Sequence, residues 1–181
     1  METTELIAVI FAILYVVLAA KESLYCWPAA IVSVSLYVYI CFNAKLFPET
    51  GLQIFYLAMA IYGWLQWRKP KKEITIKSWP LRKHFIVLAS SILLSIGLGY
   101  YFDVYTQAAM PYLDSSTTIL SLFATYMLTK KIIENWWYWI AIDIASAYLY
   151  YNRDLTLSAI LFALYVILAS VGYLQWKKNM A

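Results

Sequence analysis

One stretch of the chain, ENWWYWIAID at residues 134–143, places three tryptophans, a tyrosine and two carboxylates within ten residues. Residues three, four and seven apart share one face of a helix, so Trp136, Trp139 and Asp143 are predicted to lie in one line. Indole faces attract a positively charged ring by roughly 0.5–2 kcal/mol. Two indoles and a carboxylate on one face therefore predict a site for a flat, cationic heteroaromatic ring.

Asp143 carries most of this prediction because its neighbours are apolar. A charge at bilayer depth costs roughly 2.5–3.5 kcal/mol or more, so such a side chain normally faces a cavity or a partner. We therefore expect Asp143 to line or support a polar cavity that accepts a cation. The alternatives are a structural hydrogen bond to a neighbouring helix and a protonated carboxyl group. For Trp136, close to Lys130 and Lys131, the alternative is an anchor at the membrane interface.

Further polar and aromatic residues at helical spacing extend the predicted substrate site. They are Gln53, Tyr56, Trp64 and Gln66 in one segment, and Ser121 and Thr125 in another. Structural roles compete with this prediction, since Gln66 also suits the cap of a helix end and membrane-helix hydroxyls commonly bond their own backbone. Asn43 and Asn152 are predicted to end helices at an outer gate, with contact to an entering substrate as their second role.

The sequence gives no support for catalysis. It has one histidine, no phosphate-binding glycine loop, no H-E-x-x-H motif and no nucleophile elbow. Its two cysteines, Cys26 and Cys41, fall about 22 Å apart on one predicted helix, beyond disulfide reach. We expect no enzymatic activity, no cofactor and no metal site.

The composition is typical of a protein that is solvated by a lipid bilayer. Of its 181 residues, 64% are hydrophobic and 13% are charged, whereas soluble domains are roughly 45–50% apolar. Apolar runs between polar breaks predict an all-α polytopic membrane protein with seven transmembrane helices in one domain, residues 1–181. The helices cover residues 6–20, 27–42, 52–67, 85–102, 112–128, 136–151 and 155–176.

The basic residues predict the orientation of these helices. With seven crossings, 12 of the 14 lysines and arginines fall on one face, and only Lys45 and Arg153 fall on the other. Positive charge marks the cytoplasmic side, so the N-terminus is predicted outside and the C-terminus inside. The net charge of +4 then reflects topology, and no nucleic-acid partner is expected.

The chain contains an internal repeat at a shift of 109 residues. The segment IYGWLQWRK (61–69) aligns with SVGYLQWKK (170–178). Over the longer alignment of residues 21–69 with 130–178, 14 of 49 pairs are identical. Several identities are in tryptophan, asparagine, glycine and glutamine, which unrelated apolar helices rarely share by chance.

The repeat predicts an architecture. Residues 6–69 and 112–178 form two three-helix repeats, and the helix of residues 84–102 links them. Because a single linking crossing separates the repeats, they enter the membrane in the same direction. This 3+1+3 arrangement is also that of SWEET sugar transporters, and such repeat transporters bind substrate near the bilayer midplane.

Two long stretches of the sequence resemble the PnuC family of bacterial vitamin transporters. They are NAKLFPETGLQIFYLAMAIYGWLQW (43–67) and PYLDSSTTILSLFATYMLTKKIIENWWYWIAIDIASAYLYYNRDL (111–155). The closing YVILASVGYLQWKK (165–178) fits as well, so the resemblance covers nearly the whole chain. Its specific motifs are the glycine–aromatic–Gln-Trp helix endings and the pattern ENW..W...D.

The resemblance implies a multi-pass protein of the bacterial inner membrane with 3+1+3 topology, assembled as a homotrimer. It implies uptake of nicotinamide riboside by facilitated diffusion through alternating access, with a cytoplasmic kinase that traps the imported vitamin by phosphorylation. The family also has branches for thiamine and, less often, riboflavin or nucleosides. Its WxxW motif contacts substrate and maps here onto Trp136 and Trp139.

The residues leave the substrate open between nicotinamide riboside and thiamine, because both are flat monocations that the same side chains suit. Nicotinamide riboside is favoured as the family's commonest assignment. Two alternatives come from other classes: a membrane receptor that binds its ligand without transport, and a membrane enzyme that acts on lipid.

Overall fold

The computed structural model describes residues 2–70, 74–106 and 109–180, and in these ranges the protein is all-helical with seven α-helices. They are α1 (Glu2–Ala20), α2 (Cys26–Asn43), α3 (Phe47–Trp67), α4 (Leu81–Tyr105), α5 (Pro111–Thr129), α6 (Asn135–Tyr151) and α7 (Thr156–Met180). All seven predicted helices are confirmed, and each extends beyond its predicted range at one end or both. Lys71 and Lys72, two of the predicted cytoplasmic basic residues, lie outside the described residues.

Four helices in the described part of the chain, α1, α2, α4 and α7, are long and apolar enough to cross a membrane. The other three contain most of the polar residues that were predicted to form the site. Even the shortest, α6 with 17 residues, is about 26 Å long at 1.5 Å per residue, close to the roughly 30 Å hydrocarbon core. Large apolar side chains face outwards, such as Leu93 at 72% and Ile160 at 61% exposure, as lipid-facing surfaces require.

The helix bounds recur at the predicted shift of 109 residues. α1 and α5 begin and end at equivalent positions, and α2 and α6, like α3 and α7, begin at equivalent positions. The packing recurs too. α2 packs on α1 and α3 as α6 packs on α5 and α7, and α1 meets α7 as α5 meets α3. Among the described helices, α4 packs mainly on α5, and near its start His84 Nδ1 also lies 3.0 Å from the Tyr138 hydroxyl of α6.

Four helix ends form the same turn, with a non-glycine residue in the left-handed region at φ between 52° and 59°. These residues are Glu22, Lys45, Lys131 and Asp154. In each turn the residue that follows the left-handed one donates its backbone N–H to the carbonyl five residues before it. Ser23 N–H, for example, donates to Leu18 O at 2.9 Å. This is the hydrogen-bond pattern of the Schellman motif. The four residues form two pairs separated by 109 positions, so the repeat extends to the backbone turns.

Two tryptophans at equivalent positions set the packing within each group of three helices. Trp27 and Trp136 are 1% and 2% exposed. Their rings lie on Gly63 and Gly172 of the next helix, where an added Cβ would come within 2.3 Å and 2.7 Å of the indole atoms. Glycine at these two positions therefore permits the close packing of the helices.

Candidate functional site

Asp143 lies near the middle of α6 and is 5% exposed. Within the described residues its carboxylate makes no hydrogen bond and no ion pair. Ser146, three positions further along the helix, is buried as well, at 7% exposure. A buried, charged carboxylate without a partner is costly in an apolar bundle, so this side chain is either protonated or paired with a cation that arrives from outside the protein.

One tyrosine lies near this carboxylate. Tyr165 on α7 interacts electrostatically with Asp143, and on its other side with Tyr37 of α2. Tyr165 is missing from the predicted site residues, although the 109-residue shift pairs it with Tyr56, which was predicted. Adding the equivalent residue in the other repeat for each predicted site residue would therefore have identified Tyr165.

Tyr56 and Ser121 connect α3 to α5 through a hydrogen bond between their hydroxyl groups. The Ser121 hydroxyl also donates to Thr118 O at 2.7 Å, so Tyr56 is the donor in the bond between them. Thr125 donates its own hydroxyl to Ser121 O at 2.7 Å, as membrane-helix hydroxyls commonly do. The structure thus brings three of the predicted site residues together in one hydrogen-bonded group.

The two repeats differ in the polar residues that they place in the middle of the bundle. Asp143 corresponds to Val34, and Ser121 corresponds to Ala12. The Asp143 carboxylate and the Ser121 hydroxyl, which accepts the hydrogen bond from Tyr56, therefore both belong to the second repeat. Any pathway between the repeats is lined unequally on its two sides.

Breaking the bond between Tyr56 and Ser121 is expected to destabilise the protein modestly. Tyr56→Phe and Ser121→Ala should each lower the free energy of unfolding by about 1 kcal/mol, the usual net value of one hydrogen bond. The double variant should lose little more than either single variant, because both changes remove the same bond. Thermal midpoints of the four proteins in detergent check this. Fully additive losses would show that the two hydroxyls act independently.

Trp136 and Trp139 lie closer to the N-terminal end of α6, where four indoles form an aromatic cluster: Trp27, Trp67, Trp136 and Trp176. Trp136 meets Trp176 edge-on with ring centroids 5.4 Å apart, and Trp139 packs against the same cluster while remaining half-buried. Trp137 is 53% exposed and is not part of the cluster. The indole N–H groups of Trp27 and Trp136 are buried without a partner among the described residues, which leaves two equivalent donors unsatisfied.

The remaining predicted residues of α3 lie towards its two ends. Gln53 is half-buried in the second turn of the helix. Trp64 is half-buried near the C-terminal end, with the Arg68 guanidinium 5.7 Å from its ring centroid. Gln66 is half-buried in the last turn of the helix, beside Trp67 of the aromatic cluster. Trp64 and Gln66 thus lie with the aromatic cluster, away from Gln53.

Asn43 and Asn152 are exposed and lie apart from the buried residues. Asn43 Nδ2 donates to Tyr39 O at 2.8 Å, and Asn152 Nδ2 donates to Tyr148 O at 2.7 Å. Each amide thus satisfies a carbonyl in the last turn of its helix. This geometry favours the helix-ending role over contact with a substrate.

Comparison with known proteins identifies matches along almost the entire chain. A family model described as nicotinamide mononucleotide transporter matches residues 2–178. The sequence is 26% identical to the nicotinamide riboside transporter PnuC of Neisseria mucosa, over 95% of this chain and 71% of that protein. It is 24% identical to PnuC of Escherichia coli, over 95% and 84% of the two chains. The riboflavin/roseoflavin transporter RibM of Streptomyces davaonensis is 23% identical, over 96% and 84%.

A solved structure shares the fold. The crystal structure of the vitamin B3 transporter PnuC superposes with a TM-score of 0.77 and 23% identity, over 98% of this chain and 81% of that one. The arrangement of the described helices is therefore that of a known membrane transporter.

Proposed function

Since the chain belongs to the nicotinamide mononucleotide transporter family and is a multi-pass protein of the inner membrane, we propose that it imports a water-soluble vitamin, nicotinamide riboside. Its relatives are named as transporters of nicotinamide riboside or of riboflavin, not as enzymes. The observation that carries the choice of substrate is the buried side chain of Asp143, whose carboxylate has no hydrogen-bonding or ionic partner among the described residues. Nicotinamide riboside carries a positive pyridinium ring, whereas riboflavin is neutral.

In this proposal Asp143 balances the charge of the ring within a medium of low polarity, where the attraction between unlike charges is strong. Trp139, half-buried one turn from Asp143, offers an indole face for stacking. Tyr165 and Gln53 are half-buried groups suited to the ribose hydroxyls and the carboxamide. Thiamine is the alternative substrate, because its thiazolium ring is also a flat monocation.

We further propose the 3+1+3 arrangement, with α1–α3 as the first unit, α5–α7 as the second and α4 as the link. The recurring helix bounds and helix contacts support two units related by an axis along the membrane normal. The division of basic residues, 12 against 2, supports an external N-terminus and a cytoplasmic C-terminus. Rocking of one unit against the other then exposes the site alternately to the two sides.

Transport is proposed to be facilitated diffusion by a homotrimer, with a cytoplasmic kinase that removes free vitamin by phosphorylating it. Facilitated diffusion needs no nucleotide-binding partner, and phosphorylation prevents the product from returning as the same substrate. A receptor without transport is the alternative of another class.

The deciding experiment is counterflow into proteoliposomes that are loaded with unlabelled vitamin. Labelled nicotinamide riboside is expected to accumulate above the level of protein-free liposomes, with no ion gradient, and neutral riboflavin is not. Thiamine accumulation in place of nicotinamide riboside would move the assignment to the alternative cation. Binding of either cation without accumulation would overturn the transport assignment in favour of a receptor. Accumulation of riboflavin alone would overturn the role given to Asp143.

A further inference from the structure

Two pairs of equivalent residues touch each other at the basic end of the bundle. Lys131 Nζ donates to Glu22 Oε2 at 2.6 Å, and the ring centroids of Trp67 and Trp176 are 6.1 Å apart. Members of both pairs are separated by 109 positions. Residues related by a twofold axis touch each other only if they lie beside that axis. Both contacts therefore lie where the two units must separate for a substrate to pass.

The ion pair and the indole pair form one continuous layer. Lys131 Nζ lies 4.6 Å from the ring centroid of Trp67, and Asn179 Nδ2 donates to the other carboxylate oxygen of Glu22 at 2.8 Å. The side chains of Lys131 and Glu22 are only 12% and 19% exposed. Their attraction is therefore screened less than that of a fully exposed ion pair.

The indoles below the ion pair also bond across the two units. Trp176 Nε1 on α7 donates to Ala19 O at the end of α1, at 3.0 Å. Trp67 Nε1 on α3 donates to Thr129 O at the end of α5, at 3.2 Å. Each bond runs from the third helix of one unit to the first helix of the other. Parting the units at this end breaks both bonds together with the ion pair.

The segment before α4 holds the backbone of Lys131 in place. Lys77 N–H donates to Lys131 O at 2.9 Å, and Ile133 N–H donates to Lys77 O at 2.9 Å. Ser78 and Trp79 then bond the carboxylate of Glu134, through a hydroxyl and a backbone N–H. The turn that carries Lys131 is thus fixed from outside, and its side chain is aimed at Glu22.

We propose that Glu22 and Lys131 form an ionic latch that, with the pair of Trp67 and Trp176, closes the cytoplasmic end of the pathway. Release of substrate into the cytoplasm requires the latch to open. This inference rests on the two-unit arrangement and the orientation given under the proposed function. It does not depend on which vitamin is carried.

The chain contains its own reporter for the latch. Cys26 is fully buried within the cluster of residues that includes Trp67 and Trp176. The other cysteine, Cys41, lies at the opposite end of α2 and is removed by Cys41→Ser. Labelling of Cys26 by a membrane-impermeant maleimide, added from either side of oriented vesicles, then measures how often the cytoplasmic end opens.

In this background Glu22→Gln is expected to speed labelling of Cys26 from the cytoplasmic side about fivefold, the effect of losing an ion pair of ~1 kcal/mol. The exchange Glu22→Lys with Lys131→Glu should return the rate to within about twofold of the parent. Glu22 and Lys131 both already have a left-handed backbone with a side chain present, so exchanging the two residues is expected to add no backbone strain. Asp103→Asn, an exposed acid at the other end of α4, and Lys21→Gln, beside the latch, are controls that should leave the rate unchanged.

Three results would overturn the latch. Glu22→Gln could label Cys26 at the same rate as the parent, or the exchange variant could label no more slowly than Glu22→Gln. The third is labelling that becomes faster from the outer side only. Thermal midpoints and vitamin counterflow are measured on the same samples. A Glu22→Gln protein that is also unfolded would label from both sides and would not be rescued by the exchange, which counts against the latch. If Glu22→Gln speeds labelling and the exchange variant restores the parent rate, but no vitamin shows counterflow, the latch stands and the proposed transport is refuted.

Discussion

Replacing Asp143 with asparagine is expected to lower the affinity for a cationic vitamin about 100-fold or more. The change keeps the size of the side chain and removes its charge. Breaking a buried charge pair costs about 3 kcal/mol or more, which corresponds to this factor. Counterflow at substrate concentrations below saturation should fall to the level of protein-free liposomes. Binding calorimetry on the purified protein gives the affinity directly.

The same variant separates a role in binding from a role in folding. In the unliganded protein Asp143 has no hydrogen-bonding or charged partner among the described residues, so its loss should not lower the thermal midpoint and is expected to raise it. Added vitamin should stabilise the parent and leave Asp143→Asn unchanged. Asp103→Asn, an exposed acid on α4, is the matched control and should behave as the parent. A destabilised Asp143→Asn protein with intact affinity would assign Asp143 a structural role.

Gly63→Ala is expected to have the largest effect on stability. The added Cβ would lie 2.3 Å from the ring of Trp27, and that ring is held edge-on by Trp67 with centroids 5.2 Å apart. Overpacking of this kind costs roughly 1–3 kcal/mol. At about 2–4 °C per kcal/mol for a chain of this size, the thermal midpoint should fall by roughly 5 °C.

Two further alanine variants test the explanation. Gly172→Ala meets Trp136 at 2.7 Å and should be destabilising to a similar but smaller degree. Gly97→Ala, in the interior of α4, meets no atom within 4 Å and should be neutral or slightly stabilising, because alanine is the better helix former. A fall in midpoint with Gly97→Ala equal to that with Gly63→Ala would attribute the loss to glycine flexibility and not to the indole contact.

Periodicity predicted the helices, and internal similarity marked the two positions where helices pack most closely. The apolar runs located all seven helices, and the alignment of residues 61–69 with 170–178 pairs Gly63 with Gly172, the two positions of close helix packing. The start of α3 was predicted at Leu52 and lies at Phe47. Proline is tolerated in the first helical turn because the backbone N–H that it lacks would have no partner within the helix there. Helix ends are decided by such local capping, which apolarity alone does not report.

Contacts between helices that are distant in sequence were not predictable in the same way. Which side chains meet depends on how each helix is rotated and tilted, and neither is encoded by spacing within one helix. Glu22 and Lys131 are an example, because both occupy left-handed turns where glycine is usual and nothing in the sequence marks those turns. Likewise, the burial of Trp136 against Gly172 and Trp176 depends on α7. The predicted contact of Trp136 with substrate stays a prediction.

Val34 in the first repeat and Asp143 in the second occupy equivalent positions, and this difference bears on the charge balance of transport. Two identical half-length chains around an axis would place either two carboxylates or none at this depth, since symmetry copies every residue. A monovalent cargo would then leave the middle of the membrane with an excess charge of one sign or the other. Joining the halves into one chain allows a single acid, so that, under the proposed function, one cargo cation and one carboxylate neutralise each other. Duplication followed by divergence at this position is the simplest route from a symmetric bundle to a carrier for a singly charged solute.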